Sequence, residues 1–197
     1  MAQSYIVTLN TAWLLRKRLL TITPDFIDFK NKNFSKFEIA EIRYGLQPIH
    51  GLRTRIGRMY CIDVMSLSGK IIKIRFTVLY GIGRKKADGI YSSVVNILFE
   101  NFFSEISEQY INAFFRNEEV ALLGVKLTSK GLVLREKTDP VPWEDIGIRN
   151  YWSYCTIIVI SNPSVYRSFT YLSDWNAIVL YSIMKYILKS KNLLETD

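Results

Sequence analysis

Apolar and polar residues alternate in short runs through most of this chain, and the alternation breaks at turn pairs. Leu19 to Phe29 (LLTITPDFIDF) alternates on either side of Pro24-Asp25, and Val125 to Leu134 (VKLTSKGLVL) does the same around Lys130-Gly131. Both patterns predict β-hairpins, because successive side chains of a strand point to opposite faces. A strand with an acidic interruption follows in each half. Ile39-Ala40-Glu41-Ile42-Arg43 matches Trp143-Glu144-Asp145-Ile146-Gly147 at an offset of 104 residues. Tyr60 to Met65 (YCIDVM) then matches Tyr154 to Val159 (YCTIIV) at an offset of 94. One more strand is predicted in each half, Lys70 to Thr77 and Val165 to Tyr171. The fall in offset gives the first copy about ten extra residues between Tyr44 and Met59, an inserted basic loop near 45–58.

A helix closes each copy. In the second, a cap at Ser173-Asp174 precedes Trp175, Ile178, Val179, Ile183, Tyr186 and Ile187 at helical spacing. Lys185, Lys189 and Lys191 lie toward its C-terminal end, where the helix dipole favours cations. In the first, Ile90, Val94, Ile97, Leu98 and Phe102 share one face. Beyond it, Tyr110 to Arg116 fits either a continued helix or the first strand of the second copy. The boundary falls between Ser104 and Glu119, giving units 1–104 and 105–197. The expected fold is therefore α+β, two units each built from a bent antiparallel sheet closed by a C-terminal helix.

The order of hairpin, Pro142-Trp143-Glu144-Asp145-Ile146 strand, two further strands and Trp-bearing helix resembles a pleckstrin-homology-like unit. It is similar to the bacterial pleckstrin-homology-like (PH-like) modules that occur as tandem pairs. The first copy departs from it, with Ile39 in place of the tryptophan and the extra loop. The resemblance implies a binding or scaffolding role without catalysis. Its phosphoinositide pocket does not carry over: the first loops, Pro24-Asp25 and Ser129-Lys130-Gly131, are too short and too weakly basic.

Charge sharpens this expectation. The 197 residues carry 26 Lys and Arg against 18 Asp and Glu, a net charge of +8, while hydrophobic residues make up 49% and can fill a core. Such a balance favours an acidic protein or an anionic membrane surface. No helix-turn-helix, zinc-finger or RNA-recognition signature appears, so nucleic acid is not an expected partner. The tyrosines and phenylalanines fall at strand or helix positions and read as core. The Arg16-Lys17-Arg18 cluster follows Trp13-Leu14-Leu15, the reverse of a secretory signal, and no apolar run reaches the ~20 residues of a membrane span. A cytoplasmic protein, peripheral to the inner membrane face if it meets lipid, is expected.

Chemistry is sparse. The single histidine, His50, cannot build a triad or a His-based zinc site and reads as a surface loop residue. Cys61 and Cys155 each follow a tyrosine at the start of matching strands, which makes them small core positions. Glu41 and Glu144-Asp145 recur at one structural position, and Glu118-Glu119 stands apart, so no acid–base pair is indicated. No catalytic residue, metal site or cofactor is expected. Two basic segments remain. In His50-Gly51-Leu52-Arg53-Thr54-Arg55-Ile56-Gly57-Arg58, three arginines alternate loosely with apolar residues and can hold phosphate or carboxylate groups bidentately. Gly81-Ile82-Gly83-Arg84-Lys85-Lys86 precedes a helix, where free amides and cations can meet an anion, though it has no P-loop Ser or Thr. The expected contact residues are Arg53, Arg55, Arg58, Arg84, Lys85 and Lys86.

Overall fold

A computed structural model describes residues 4–10, 17–52, 54–135 and 138–194. They form an α+β structure with four small antiparallel sheets. The chain divides into two compact units, Met1–Ser104 and Glu105–Asp197.

The first unit begins with a four-stranded meander, β1 (Tyr5–Asn10), β2 (Lys17–Ile22), β3 (Phe26–Phe29) and β4 (Lys32–Ser35). The predicted β2–β3 hairpin is present, with Ile22 opposite Ile27. Its turn is held by Thr23, whose hydroxyl accepts the Asp25 and Phe26 amides while Pro24 sets the backbone. The β3–β4 turn was not expected, because Lys30-Asn31 lacks glycine. Both residues nonetheless take positive φ, 54° and 61°, the left-handed geometry of a tight hairpin.

A second sheet follows, β5 (Ile39–His50), β6 (Arg55–Ser66) and β7 (Ile71–Leu79). Here the inserted basic loop is corrected. Residues 45–50 and 55–58 are strand, paired from Gly45–Cys61 to His50–Arg55, and the amide of Gly51 donates to the Thr54 carbonyl to close the tip. The ten extra residues lengthen two strands, since alternating side chains such as Leu46, Ile49 and Ile56 suit a ladder as well as a loop. His50 is accordingly the last residue of a strand.

Alternation along β6 and β7 turns Tyr60, Ile62, Val64, Ile72, Ile74, Phe76 and Val78 to one face, where all are buried. Helix α1 (Arg84–Leu98) covers that face. Its Tyr91 lies 5.4 Å from the Tyr60 ring and 6.3 Å from that of Tyr44, and Tyr60 stacks on Phe76 at 4.7 Å. On the opposite face Asp63 is roofed by two arginines: Arg43 Nε stands 3.0 Å from Oδ2 and Arg75 Nη2 stands 2.7 Å from Oδ1. The Asp63 side chain is only 2% exposed, so the pairing is what permits a charge there.

Residues 99–103 form a π-helical turn, and α2 (Ser104–Phe115) follows it. Tyr110 to Phe115 is thus helix, with Ile111 and Phe114 on its buried side. The second unit continues with β8 (Val120–Leu122), β9 (Val125–Thr128) and β10 (Gly131–Val133), in spatial order β10-β9-β8. The predicted hairpin is β9–β10, with Thr128 opposite Gly131. The strand expected at Pro142 to Ile146 begins only at Ile146: Trp143 lies in a 3-10 turn, Trp143–Asp145, that precedes β11 (Ile146–Asn150). There its indole donates to the Thr128 carbonyl at 3.0 Å and its ring meets Phe114 edge-on at 5.5 Å. The matching turn in the first unit, Lys36–Glu38, also precedes a strand opened by isoleucine.

β12 (Tyr154–Val159) and β13 (Tyr166–Thr170) complete the last sheet. Its register repeats that of β6–β7: Cys61 opposes Arg75, and Cys155 opposes Phe169, both partners 94 residues further on. Both cysteines are buried, as the repeat implied. Helix α3 (Ala177–Ser190) packs on β11 and β12. It starts later than Ser173-Asp174, because the Asp174 carboxylate instead accepts the Thr170 amide at 2.7 Å and Asn176 (φ 61°) turns the chain into the helix. Trp175 therefore precedes α3, and Tyr186 lies on its exposed side, edge-on to Phe115. The buried stripe is Val179, Leu180, Ile183, Met184, Ile187 and Leu188.

Candidate functional site

Three of the six expected contact residues open α1. Gly83 (φ 73°) is its N-cap, and Arg84, Lys85 and Lys86 fill the first turn, which holds no acidic residue. All three are exposed. This order opposes the helix dipole, whose N-terminal end is positive. Each cation there is unfavourable by a few tenths of a kcal/mol up to about 1 kcal/mol, and an anion in front of the turn reverses the sign.

Arg58 reaches the same place from β6. It pairs with Val78 across the sheet, shares the face under α1, and is only 15% exposed in its side chain. Asp88, one turn into α1, gathers the group: Arg58 Nη1 is 3.7 Å from Oδ1, Arg84 Nε is 3.5 Å from Oδ2, and the Tyr60 hydroxyl donates to Oδ1 at 2.6 Å. Burial, and then this hydrogen bond to Asp88, push the Tyr60 phenol up to about 12. Arg55, the first residue of β6, is exposed, and its Nε lies 3.5 Å from the Gly57 carbonyl. Arg53 lies outside the described residues. The structure therefore joins Arg58 to Arg84 through Asp88, puts Lys85 and Lys86 beside them, and leaves Arg55 nearer the hairpin tip.

Apolar side chains accompany these cations. Tyr80 (φ 51°) follows β7, and its amide donates to the Ile56 carbonyl, which ties the β7–α1 turn to the start of β6. Tyr80 is 75% exposed and Ile82 79%, while Leu52, at the hairpin tip, is fully exposed. Nearby, β1, β7 and the start of α1 border a half-open pocket of about 200 Å³, lined by polar Thr8, Thr77 and Lys86 as well as apolar side chains.

Asp88 was not foreseen as a member of this site, although its i,i+4 spacing from Arg84 was readable. Nor was the exposure of rings: Tyr80, Tyr151, Trp152, Tyr154 and Tyr166 all face solvent, against the expectation that aromatic residues fill the core. Alternation shows that two faces differ without saying which face is covered.

Asp145 accepts hydrogen bonds from the amide and hydroxyl of Ser161, and burial raises the Glu41 carboxyl. Burial also raises both thiols, Cys155 to about 11. Among the described residues no three His, Cys, Asp or Glu side chains gather as a metal-ligand set, and no helix is long and apolar enough to cross a membrane. Comparison of the chain with protein-family models, with curated proteins and with solved structures gives no match.

Proposed function

We propose that this chain is a non-catalytic binding protein of the cytoplasm, and that it meets an acidic protein partner through the basic end of its first unit. The observation that carries the reading is the first turn of α1. Three consecutive cations there work against the helix dipole, and their only carboxylate neighbour within ion-pairing distance among the described residues is Asp88, which meets Arg84. A protein rarely keeps such an arrangement for stability alone, and a bound anion turns its cost into affinity. Exposed Tyr80 and Ile82 beside the cations supply the apolar centre that protein interfaces surround with a polar rim.

The scaffold fits this role. Four strands, three strands and a helix in the first unit, and a helix, three strands, three strands and a helix in the second, are an element order that supports a reading as tandem PH-like units, which are mostly platforms for ligands, although α2 opens the second unit with a helix. The equal register of β6–β7 and β12–β13 supports a duplicated unit.

The test is affinity capture with the full chain at low and moderate salt, repeated with Arg84→Gln, Lys85→Gln and Lys86→Gln combined. A partner of acidic composition, retained at low salt and lost with the triple variant, is the expected result. Retention unchanged by the triple variant removes the site from the account. A second reading has its own observation: Leu52 projects at a hairpin tip and Ile82 beside the cations, a pattern suited to an anionic membrane surface. Sedimentation with phosphatidylserine vesicles, and not with phosphatidylcholine vesicles, would select it.

A further inference from the structure

We infer that the chain forms a two-fold dimer with a second copy of itself, through the face of sheet β11-β12-β13 that α3 leaves uncovered. The inference uses no residue of the cationic site. Alternation along β12 turns Cys155, Ile157 and Val159 inward, where all are buried, and the Cys155 thiol lies 3.8 Å from the Ala177 carbonyl at the start of α3. Tyr154, Thr156 and Ile158 therefore point the other way. Their ladder partners share that face: Arg149 and Gly147 on β11, and Thr170, Ser168 and Tyr166 on β13. Ile160 continues it, since a Cβ added at Gly147 would meet Ile158 at 3.6 Å and Ile160 at 3.5 Å. At the β11–β12 tip the Tyr151 ring stacks on Tyr154 at 4.6 Å, and neighbouring Trp152 is 71% exposed. Rings at one end, and Tyr166 with Ile160 at the other, thus flank a centre of hydroxyl groups.

This face is suited to burial against protein. From Ile146 to Ser173 the chain has no Lys, Asp or Glu. Of its two arginines, Arg167 lies on the other face, opposite Ile157, and donates to the Gly124 and Leu134 carbonyls. Aromatic side chains with those three charged types absent are the composition of interface cores. At the centre the Thr156 and Ser168 hydroxyls bond each other at 2.9 Å, so covering them strands no polar group. At roughly 220 Å² per ring, the exposed parts of Tyr151, Trp152, Tyr154 and Tyr166 come to about 450 Å². That is more than half of the ~800 Å² that one side of a standard interface buries.

Charge selects the occupant. Residues 1–104 carry 16 Lys and Arg against 7 Asp and Glu, which leaves residues 105–197 with 10 against 11 from the totals of 26 and 18. Two copies therefore repel through their first units and not through their second. A strongly charged partner finds no counter-charge on this face beyond Arg149. What complements neutral rings and one guanidinium is the same set inverted. Under a two-fold axis Arg149 of each copy can lie over rings of the other, and both contacts form at once.

The experiment is sedimentation velocity of the full chain from about 1 to about 200 µM at low and moderate salt. It is paired with a soluble paramagnetic agent read on the amides of the ¹⁵N-labelled chain at the highest concentration. A dimer is expected at the upper concentrations, little changed by salt, with the amides of Tyr154, Thr156, Tyr166 and Ser168 spared by the agent. Tyr154→Lys combined with Tyr166→Lys is expected to weaken the dimer about a hundredfold or more, as loss of two aromatic anchors does, with an unchanged circular dichroism spectrum. Arg84→Gln, Lys85→Gln and Lys86→Gln combined are expected to leave it intact. A wild type that stays monomeric throughout overturns the inference, and capture of a different protein by that monomer would name another occupant. A dimer that moderate salt dissociates, or that the cationic-site variant abolishes, overturns it as well. So does a dimer in which the agent broadens Tyr154 and Tyr166 like the rest of the surface, or one that the folded double-lysine variant keeps at full strength. The wild-type broadening decides even if that variant fails to fold.

Discussion

Asp88→Asn tests the organisation of the site most directly, because one carboxylate holds Tyr60, Arg58 and Arg84 at once. The amide keeps an oxygen near the Tyr60 hydroxyl but loses the charge. A hydrogen bond to a charged acceptor contributes about 1.5–3 kcal/mol and a neutral one about 0.5–1.5 kcal/mol, so this bond loses about 1 kcal/mol. The two arginine contacts, at 3.5 and 3.7 Å and partly open to water, add at most about 1 kcal/mol between them. The first unit is therefore expected to lose about 1–2 kcal/mol of stability, measured by urea denaturation followed by far-ultraviolet circular dichroism. Tyr60 supplies a second readout. Its phenol is raised by burial first and by Asp88 second, so the variant should ionise below about 12 but still above an ordinary tyrosine. A raised acid is held neutral in the fold. Its stabilisation is complete below the unfolded value of about 10 and is lost as pH climbs from there through about 12, and the wild type should lose more over that window than the variant. Difference absorbance of wild type minus variant isolates this phenol from the other eleven of the chain's 12 tyrosines. Identical phenolate titration and unchanged stability would refute the assignment of Asp88 as the organising carboxylate.

Two further outcomes follow from buried groups. Asp63→Ala leaves the Arg43 and Arg75 guanidinium groups without the carboxylate they roof, and should cost about 3–5 kcal/mol, whereas Asp63→Leu with Arg43→Met and Arg75→Met should recover much of the loss in the same denaturation assay. A triple variant no more stable than Asp63→Ala would show that the triad specifies the strands beyond its electrostatics. Cys61 and Cys155, buried and with thiols raised by burial, should resist Ellman's reagent at pH 8 in the folded chain and react fully in guanidinium chloride. Prompt reaction of either native thiol would contradict its placement.

The sequence exposed what depends on local periodicity and hid what depends on how layers meet. Hairpins β2–β3 and β9–β10 were legible because Pro24-Asp25 and Lys130-Gly131 interrupt clean alternation. The matching Tyr-Cys strands were legible because buried cysteine suits the same site in both copies, and the paired registers bear this out. The hairpin β3–β4 was not, since Lys30-Asn31 adopts a geometry that glycine usually announces. Residues 45–58 were read as an inserted loop because glycines and arginines recur there, while the strand character of 45–50 and 55–58 comes from cross-strand bonds that no local pattern records. Asp174 looked like a helix cap because cap and strand-end acceptors are the same residue type; only the position of the Thr170 amide separates them.

The candidate site divides along the same line. Arg84, Lys85 and Lys86 could be found from their run and from the glycines before them, which put them just ahead of a helix, whereas the structure makes them its first turn. Arg58 could be named but not placed, because its partner Asp88 lies thirty residues on, across a sheet-to-helix contact. That contact changes what the arginines are for. With Asp88 between them, Arg58 and Arg84 are drawn into one cluster and partly neutralised, whereas Lys85 and Lys86 have no acidic partner in their own turn. The two lysines should therefore dominate salt dependence, and Arg58 should act mainly by holding Asp88 and the start of α1 in place. Replacing Lys85 and Lys86 should then weaken capture of an acidic partner with little change in stability, and replacing Arg58 should do the reverse.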